Sequence, residues 1–185
     1  NYFTLNPSYL IQGKYLWTLF IHMFSHVFFW HLFLNMFALF SFGGLCERII
    51  GRKRFLWFYL IAGIFAGLLS VVLAGFFGYG FGERIFGSPD IPMLGASGAI
   101  FGVAGLLMMI LPRLRFSIIF FPFFSLPAYI MLPVFLFLIW GISIAFNAPI
   151  GNVAHFGGFL AGIIYGYYLR LKYRKKIIML ERYFK

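Results

Sequence analysis

The chain has 185 residues, of which 63% are hydrophobic and only 10% are charged, and it contains 28 Phe. No soluble domain could cover so many apolar side chains with polar surface, so this composition excludes a soluble globular protein and predicts a membrane protein. Its spans must be helical, because the apolar runs are about 20 residues long. The net charge of +11 does not indicate a nucleic-acid partner, because the basic residues are confined to a few connections, and the single Cys excludes a disulfide framework.

The first predicted element is an interfacial segment over residues 1–26, where Pro7 and Gly13 break an apolar stretch that is rich in Tyr and Trp. A transmembrane core over residues 27–169 follows, and the basic residues 170–185 form a predicted cytoplasmic tail. Within the core the hydrophobic pattern predicts five helical spans, at about 27–45, 55–77, 97–112, 125–144 and 152–169. The first span is predicted to end at the pair Gly43-Gly44, before a turn over residues 47–54.

The basic residues predict the orientation of these spans. Of the 15 Lys and Arg, 13 lie in residues 48–54, 113–115 or 170–185, which are alternate connections of the predicted bundle. The positive-inside rule places these connections in the cytoplasm. Five spans with a cytoplasmic C-terminus would leave Asn1 outside, so either the N-terminus is translocated or an earlier span precedes this chain. We expect the earlier span, because the chain does not begin with an initiator Met. We expect a multi-pass protein of the cell membrane, surrounded by lipid.

Ser97 is the polar residue around which the predicted core is organised. It lies between Gly95 and Gly98 at the start of the third span, after a loop rich in Gly and Pro. A serine gains nothing from the hydrophobic effect, and a polar side chain within a membrane indicates a functional site. Taken alone, such a serine more often bonds back to its own helix or packs as a small residue.

Three further polar residues are predicted to lie at the depth of Ser97. His31 and Asn35 occupy the outer half of the first span and, four residues apart, share one helix face. His155 lies about one turn into the fifth span from the same side. The topology therefore predicts a polar cluster, drawn from three helices, just below the outer surface.

The sequence also allows interpretations other than a serine-centred site. His22 and His26 are spaced like two metal ligands on one helix face, but no Asp, Glu or Cys lies nearby in sequence, so we expect neither a metal nor another cofactor. Gly158 and Gly162 form a small-xxx-small pair, most simply a helix-packing face. A channel or transporter would show inverted repeats and polar residues at the midplane, whereas we find no repeat and the polar cluster lies towards one face.

Taken together, these motifs resemble the rhomboid family of intramembrane serine proteases. The resemblance rests on Gly-Ala-Ser-Gly at 95–98, on Ala-His-x2-Gly-x3-Gly at 154–162, and on His-x4-His-x3-Asn at 26–35. It runs through residues 17–169 with the motifs in the family's order. It implies an all-α membrane bundle of which this chain holds about five spans, without the first.

The resemblance also assigns chemistry to the polar cluster. A serine hydroxyl becomes a nucleophile when a base removes its proton, and the resemblance implies that His155 is that base for Ser97. It implies that His31, Asn35 and the Ser97 backbone N–H stabilise the oxyanion. Phe101 follows the serine by one turn, where its ring could stack beneath the histidine.

The implied substrates are transmembrane segments of other membrane proteins, cut near the outer membrane face. A helix hides its peptide bonds, so a substrate must unwind locally to be cut. The fourth span and the connection 146–151 are candidates for a lateral gate and a cap. The alternative function is a catalytically silent rhomboid-like scaffold that binds and escorts membrane helices, although such relatives typically lack the serine or the histidine that this chain keeps.

Overall fold

The computed structural model describes residues 2–118, 121–148 and 150–184, with the side chains of 117–118 and 121–124 outside this description. Five residues of the predicted segments therefore lie outside the described residues. They are residue 1 of the interfacial segment, residues 119–120 of the transmembrane core, residue 149 of the predicted cap and residue 185 of the tail.

The described residues form ten α-helices and one short antiparallel β-hairpin. In chain order the helices are α1 (Pro7–Ile11), α2 (Thr18–Ile21), α3 (Phe29–Ala38), α4 (Gly44–Ile50), α5 (Arg52–Phe77), α6 (Gly82–Phe86), α7 (Ser97–Ile110), α8 (Ala128–Phe146), α9 (Asn152–Lys172) and α10 (Arg174–Tyr183). The two strands are β1 (Arg115–Ile118) and β2 (Phe121–Pro127), which lie between α7 and α8.

Three helices are long and apolar enough to cross a membrane. They are the continuous helix Phe29–Ile50, which joins α3 to α4, then α5 and α8. The 14-residue α7 is a shorter apolar helix, and the 21-residue α9 ends in the basic residues Arg170 and Lys172. These five helices correspond to the five predicted spans, and the predicted class, an all-α multi-pass membrane bundle, is confirmed.

The first span ends later than the sequence pattern indicates. Its predicted end was the pair Gly43-Gly44, but the helix continues through a π-helical turn at Leu39–Gly43 into α4. Gly44 itself adopts ordinary helical angles, with φ −59° and ψ −41°. The break falls instead at Gly51, whose φ of +87° ends α4. Glu47, predicted to lie in a turn, is therefore helical.

The connection after α7 and the basic tail both contain structure that the sequence analysis did not predict. In the hairpin, Arg115 donates from Nε to Ser125 Oγ at 3.0 Å and from its guanidinium to the Ser125 carbonyl oxygen. The tail forms α10, which is tied back to α9 by an Arg170–Glu181 ion pair of 2.7 Å. Arg170 also donates to the carbonyl oxygen of Met109 at 2.6 Å, so α10 closes the end of the bundle opposite Ser97.

Helix α7 lies at the centre of the bundle. Val103, Leu106 and Leu107 are completely buried, and α7 packs against both α5 and α9. Its small residues let the neighbouring helices approach closely, because association in a membrane depends on van der Waals contact between backbones and short side chains. The start of α7, which carries Ser97, is therefore held within the bundle rather than on a mobile loop.

Candidate active site

The backbone that leads into Ser97 is clamped from two sides. Leu5 and Met93 exchange two backbone hydrogen bonds, each of 2.8 Å, in an isolated antiparallel bridge. Gly95 donates its N–H to the carbonyl oxygen of His22 at 2.9 Å. Gly95 has a φ of +118°, a conformation that residues with a side chain rarely adopt, so glycine is required for the turn into the helix. The N-terminal segment thus fixes the chain just before α7.

Ser97 and His155 are joined by a hydrogen bond of 2.8 Å between Ser97 Oγ and His155 Nε2. The serine is the first residue of α7 and is partly buried, whereas His155 lies in the first turn of α9 and is buried. For the serine to donate, Nε2 must be the unprotonated nitrogen of a neutral imidazole. The geometry therefore matches a nucleophile paired with its base.

Bare backbone surfaces of α7 and α9 meet next to this hydrogen bond. An ideal Cβ built on Gly158 would overlap the carbonyl group of Gly98, with its carbon only 2.8 Å away. One turn deeper, a Cβ on Gly162 would lie 2.6 Å from the backbone nitrogen of Leu106 and overlap the Gly102 carbonyl group. Helices α7 and α9 therefore meet backbone to backbone along the face that carries His155, which any larger residue would prevent.

Phe101 supports the imidazole from below. Its ring stacks on that of His155, with the centroids 4.5 Å apart and the planes inclined by 27°. On its other side Phe101 stacks on Phe135 of α8, at 6.3 Å between centroids. A phenyl ring offers a flat apolar surface and no donor, so it restricts the tilt of the imidazole without competing for the serine hydroxyl.

His31 lies beside Ser97, and Asn35 lies one turn further along the same helix. A Cβ placed on Gly95 would be 2.9 Å from His31 Cε1 and 3.9 Å from Ser97 Oγ, so the histidine ring and the hydroxyl border the same small space. Asn35 is buried and donates from Nδ2 to the carbonyl oxygen of His31 at 2.9 Å. That bond uses one of its two amide N–H groups and leaves the other for a second acceptor.

A family model described as the Rhomboid domain matches residues 13–172 of the chain. The chain belongs to the rhomboid family. This confirms the resemblance drawn from the motifs around Ser97 and His155. The described helices, three of them long and apolar enough to cross a membrane, also fit a rhomboid-like helical membrane bundle.

Individual rhomboid relatives agree with the family match. The human protein named presenilin-associated rhomboid-like protein, mitochondrial, is 32% identical over 96% of this chain and 44% of its own length. Rhomboid protease GlpG of Haemophilus influenzae is 27% identical over 87% of this chain and 73% of its own length. Rhomboid protein 1, mitochondrial, of Saccharomyces cerevisiae is 31% identical over 79% of this chain and 40% of its own length. The chain thus spans less than half the length of the mitochondrial relatives.

The other histidines of this rhomboid make separate contacts. His22 is buried, and its Nδ1 lies 2.9 Å from the carbonyl oxygen of Thr18. The rings of His26 and His31 meet edge to face at 5.0 Å between centroids. Among the described residues, no group of three or more His, Cys, Asp or Glu is arranged to hold a metal ion. That this rhomboid works without a metal ion stays a prediction.

Two polar residues near the rhomboid site were missed in the sequence analysis. Asn152, the first residue of α9, is buried and donates from Nδ2 to Ser143 Oγ of α8 at 3.0 Å. Ser143 in turn donates to the carbonyl oxygen of Ala148 at 2.8 Å. The available signal was the position of Asn152, three residues before His155 and therefore on its side of the helix.

Proposed function

We propose that this rhomboid chain is an intramembrane serine endopeptidase that cuts transmembrane segments of other membrane proteins. The observation that carries the proposal is the 2.8 Å hydrogen bond between Ser97 Oγ and His155 Nε2 inside a membrane bundle. Serine in a membrane helix commonly bonds to its own backbone instead. A bond to a histidine 58 residues away requires the two helices to be packed for it.

The reaction uses Ser97 as nucleophile and His155 as general base and then general acid. His155 Nε2 removes the hydroxyl proton while Oγ attacks the scissile carbonyl carbon. The tetrahedral intermediate collapses with transfer of that proton to the leaving amine, and an acyl ester remains on Ser97. Water, deprotonated by His155, attacks the ester and releases the new carboxyl terminus. A dyad of this kind needs no metal or cofactor.

The tetrahedral intermediate requires donors directed at its oxyanion. Ser97 is the first residue of α7, so its N–H has no acceptor within its own helix. His31 borders the space around the hydroxyl, and Asn35 keeps a second N–H beyond the one bonded to the His31 carbonyl. We assign these three groups to the oxyanion hole.

Asn35→Ala is expected to lower turnover by about 100-fold, the usual effect of removing one oxyanion donor. The measurement is cleavage of a reporter membrane helix, together with the thermal unfolding of each variant. Ser41→Ala is the matched control, because Ser41 makes the same kind of bond, Oγ to the Phe37 carbonyl four residues earlier on the same span. A loss of stability without a loss of turnover would make the Asn35 bond structural only.

We further propose that the protein lies in the cell membrane with its site open to the outer face. The supporting observation is charge: 13 of the 15 Lys and Arg lie on one set of alternate connections. Ser97 begins α7 at the opposite end from these connections. A substrate helix must then unwind near the outer surface, because its backbone is otherwise engaged in hydrogen bonds.

A fluorophosphonate probe tests both the chemistry and the orientation. In detergent the probe should modify the purified protein at Ser97, located by peptide mass spectrometry. On intact cells a charged, membrane-impermeant version should label the same serine. Absence of labelling in detergent would favour the silent scaffold. If Ser97 is labelled in detergent but, in cells, only after permeabilisation, the outward-facing site in the cell membrane would be contradicted. The protease chemistry would remain supported.

A further inference from the structure

Two buried polar atoms at the Ser97–His155 pair, one on His155 itself and one on its neighbour Asn152, have no hydrogen-bond partner among the described residues. They are His155 Nδ1 and Asn152 Oδ1. Both residues are on α9, and both are at most 8% exposed. Side chains three residues apart on a helix are neighbours, with Cβ atoms about 5–6 Å apart. A buried donor or acceptor left unpaired is unfavourable, because it has lost its hydrogen bonds to water without replacement.

The two atoms are complementary in hydrogen bonding. Because Nε2 accepts the Ser97 proton, Nδ1 must carry the ring hydrogen, and it is therefore a donor. Asn152 Oδ1 is an acceptor. If Nδ1–H had no acceptor, the ring could adopt the other tautomer, in which Nε2 carries the hydrogen and cannot act as the base.

The orientation of the Asn152 amide follows from its contacts on α8. Ser143 donates its single hydroxyl hydrogen to the Ala148 carbonyl oxygen, so in its contact with Asn152 the Ser143 Oγ must be the acceptor. The amide nitrogen must therefore face Ser143, and Oδ1 is directed away from it. The Ser143–Ala148 bond thus determines which end of the amide remains for another partner.

We propose that Asn152 is a positioning residue that holds His155 in the tautomer required for catalysis. The inference rests on the proposed protease function. The two atoms make no direct hydrogen bond. In this proposal one buried water joins them, accepting from Nδ1–H and donating to Oδ1. A neutral amide in this place supports the transient imidazolium. A carboxylate would also do so, but it would bury a permanent charge.

The test compares Asn152→Ala with Ser143→Ala. Both variants lose the Asn152–Ser143 hydrogen bond, but only Asn152→Ala loses the acceptor next to His155. We expect kcat to fall about 100-fold in Asn152→Ala with little change in KM, the cost of a misplaced catalytic group, and only a few-fold in Ser143→Ala. Equal losses in Asn152→Ala and Ser143→Ala would overturn the proposal.

A spectroscopic readout makes this inference independent of turnover. In protein labelled with nitrogen-15 histidine, the His155 signal is identified by its loss in His155→Ala. We expect the wild type to show hydrogen on Nδ1 alone, and Asn152→Ala to show a mixture of tautomers. An unchanged His155 signal in Asn152→Ala would overturn the positioning role even if the protein is an active protease. If Asn152→Ala does not fold, Asn152→Leu, which has the same branching and the same number of side-chain heavy atoms, is judged by the same two outcomes.

Discussion

Ser97→Ala and His155→Ala should each abolish cleavage of a reporter membrane helix, with a loss of about 10⁵-fold or more. Either change removes one partner of the 2.8 Å bond, and neither a hydroxyl without a base nor a base without a hydroxyl can form the acyl ester. The measurement is initial cleavage rate in reconstituted bilayers, at matched amounts of folded protein. Because the oxyanion hole and substrate binding alone leave some residual turnover, the serine would be removed from the mechanism only if Ser97→Ala kept a rate within about tenfold of the wild type.

The double variant gives a sharper form of this test. Groups that act as a unit show non-additive losses, so Ser97→Ala combined with His155→Ala should be no slower than either single variant. Ser70→Ala is the matched serine control, because Ser70 is also buried in a membrane helix but donates to the Ala66 carbonyl of its own helix at 3.0 Å. It should retain activity. Additive losses in the double variant would mean that the two residues work separately.

Gly158→Val should have the next largest effect, lowering turnover by about 100-fold or more through displacement of the base. The new side chain would overlap the Gly98 carbonyl group, and a backbone atom cannot move aside as a flexible side chain can. The helices must separate, at a cost of about 1–3 kcal/mol in stability, as is typical for overpacking. Activity should therefore fall much further than stability, as measured by cleavage rate and by thermal unfolding.

Gly141→Val is the matched control for that change. Gly141 is also a glycine in an apolar helix, but a Cβ built there meets nothing within 4 Å. Replacement of either glycine alters helix propensity in the same way, so the difference between the two variants isolates the α7–α9 contact. If Gly158→Val cleaved the reporter at the rate of Gly141→Val, close packing would not set the Ser97–His155 distance.

Local contacts explain where the sequence-based predictions fell short. The pair Gly43-Gly44 was read as a helix end, but a glycine accepts helical angles readily, and Gly43 packs tightly against Leu39 and Phe55. The hairpin was missed because an apolar run without a clear period does not distinguish strand from helix. In the tail, Glu181 of α10 pairs with Arg170 of α9, a contact between two helices that the hydrophobic pattern does not indicate.

At the candidate site, too, the sequence patterns did not show which atoms are in contact. Asn35 was assigned as an oxyanion donor from its motif, and the motif could not show that one of its amide hydrogens is bonded to the His31 carbonyl. Asn152 was overlooked because a single asparagine at a helix start is common and its partner, Ser143, lies on another helix. Motifs specify residue types at given spacings, but they do not show which donor is hydrogen-bonded to which acceptor.

The amino-acid sequence by itself determined the membrane class, the approximate spans, the family, and the two residues Ser97 and His155 as candidates for chemistry. These depend on hydrophobicity along the chain and on motif order, which are properties of residue identity. Only the tertiary structure decided that Ser97 Oγ and His155 Nε2 lie 2.8 Å apart, and that Asn152 directs its amide nitrogen to Ser143. Both arrangements arise from how α7, α8 and α9 cross, and that crossing is set by contacts between backbones distant in sequence.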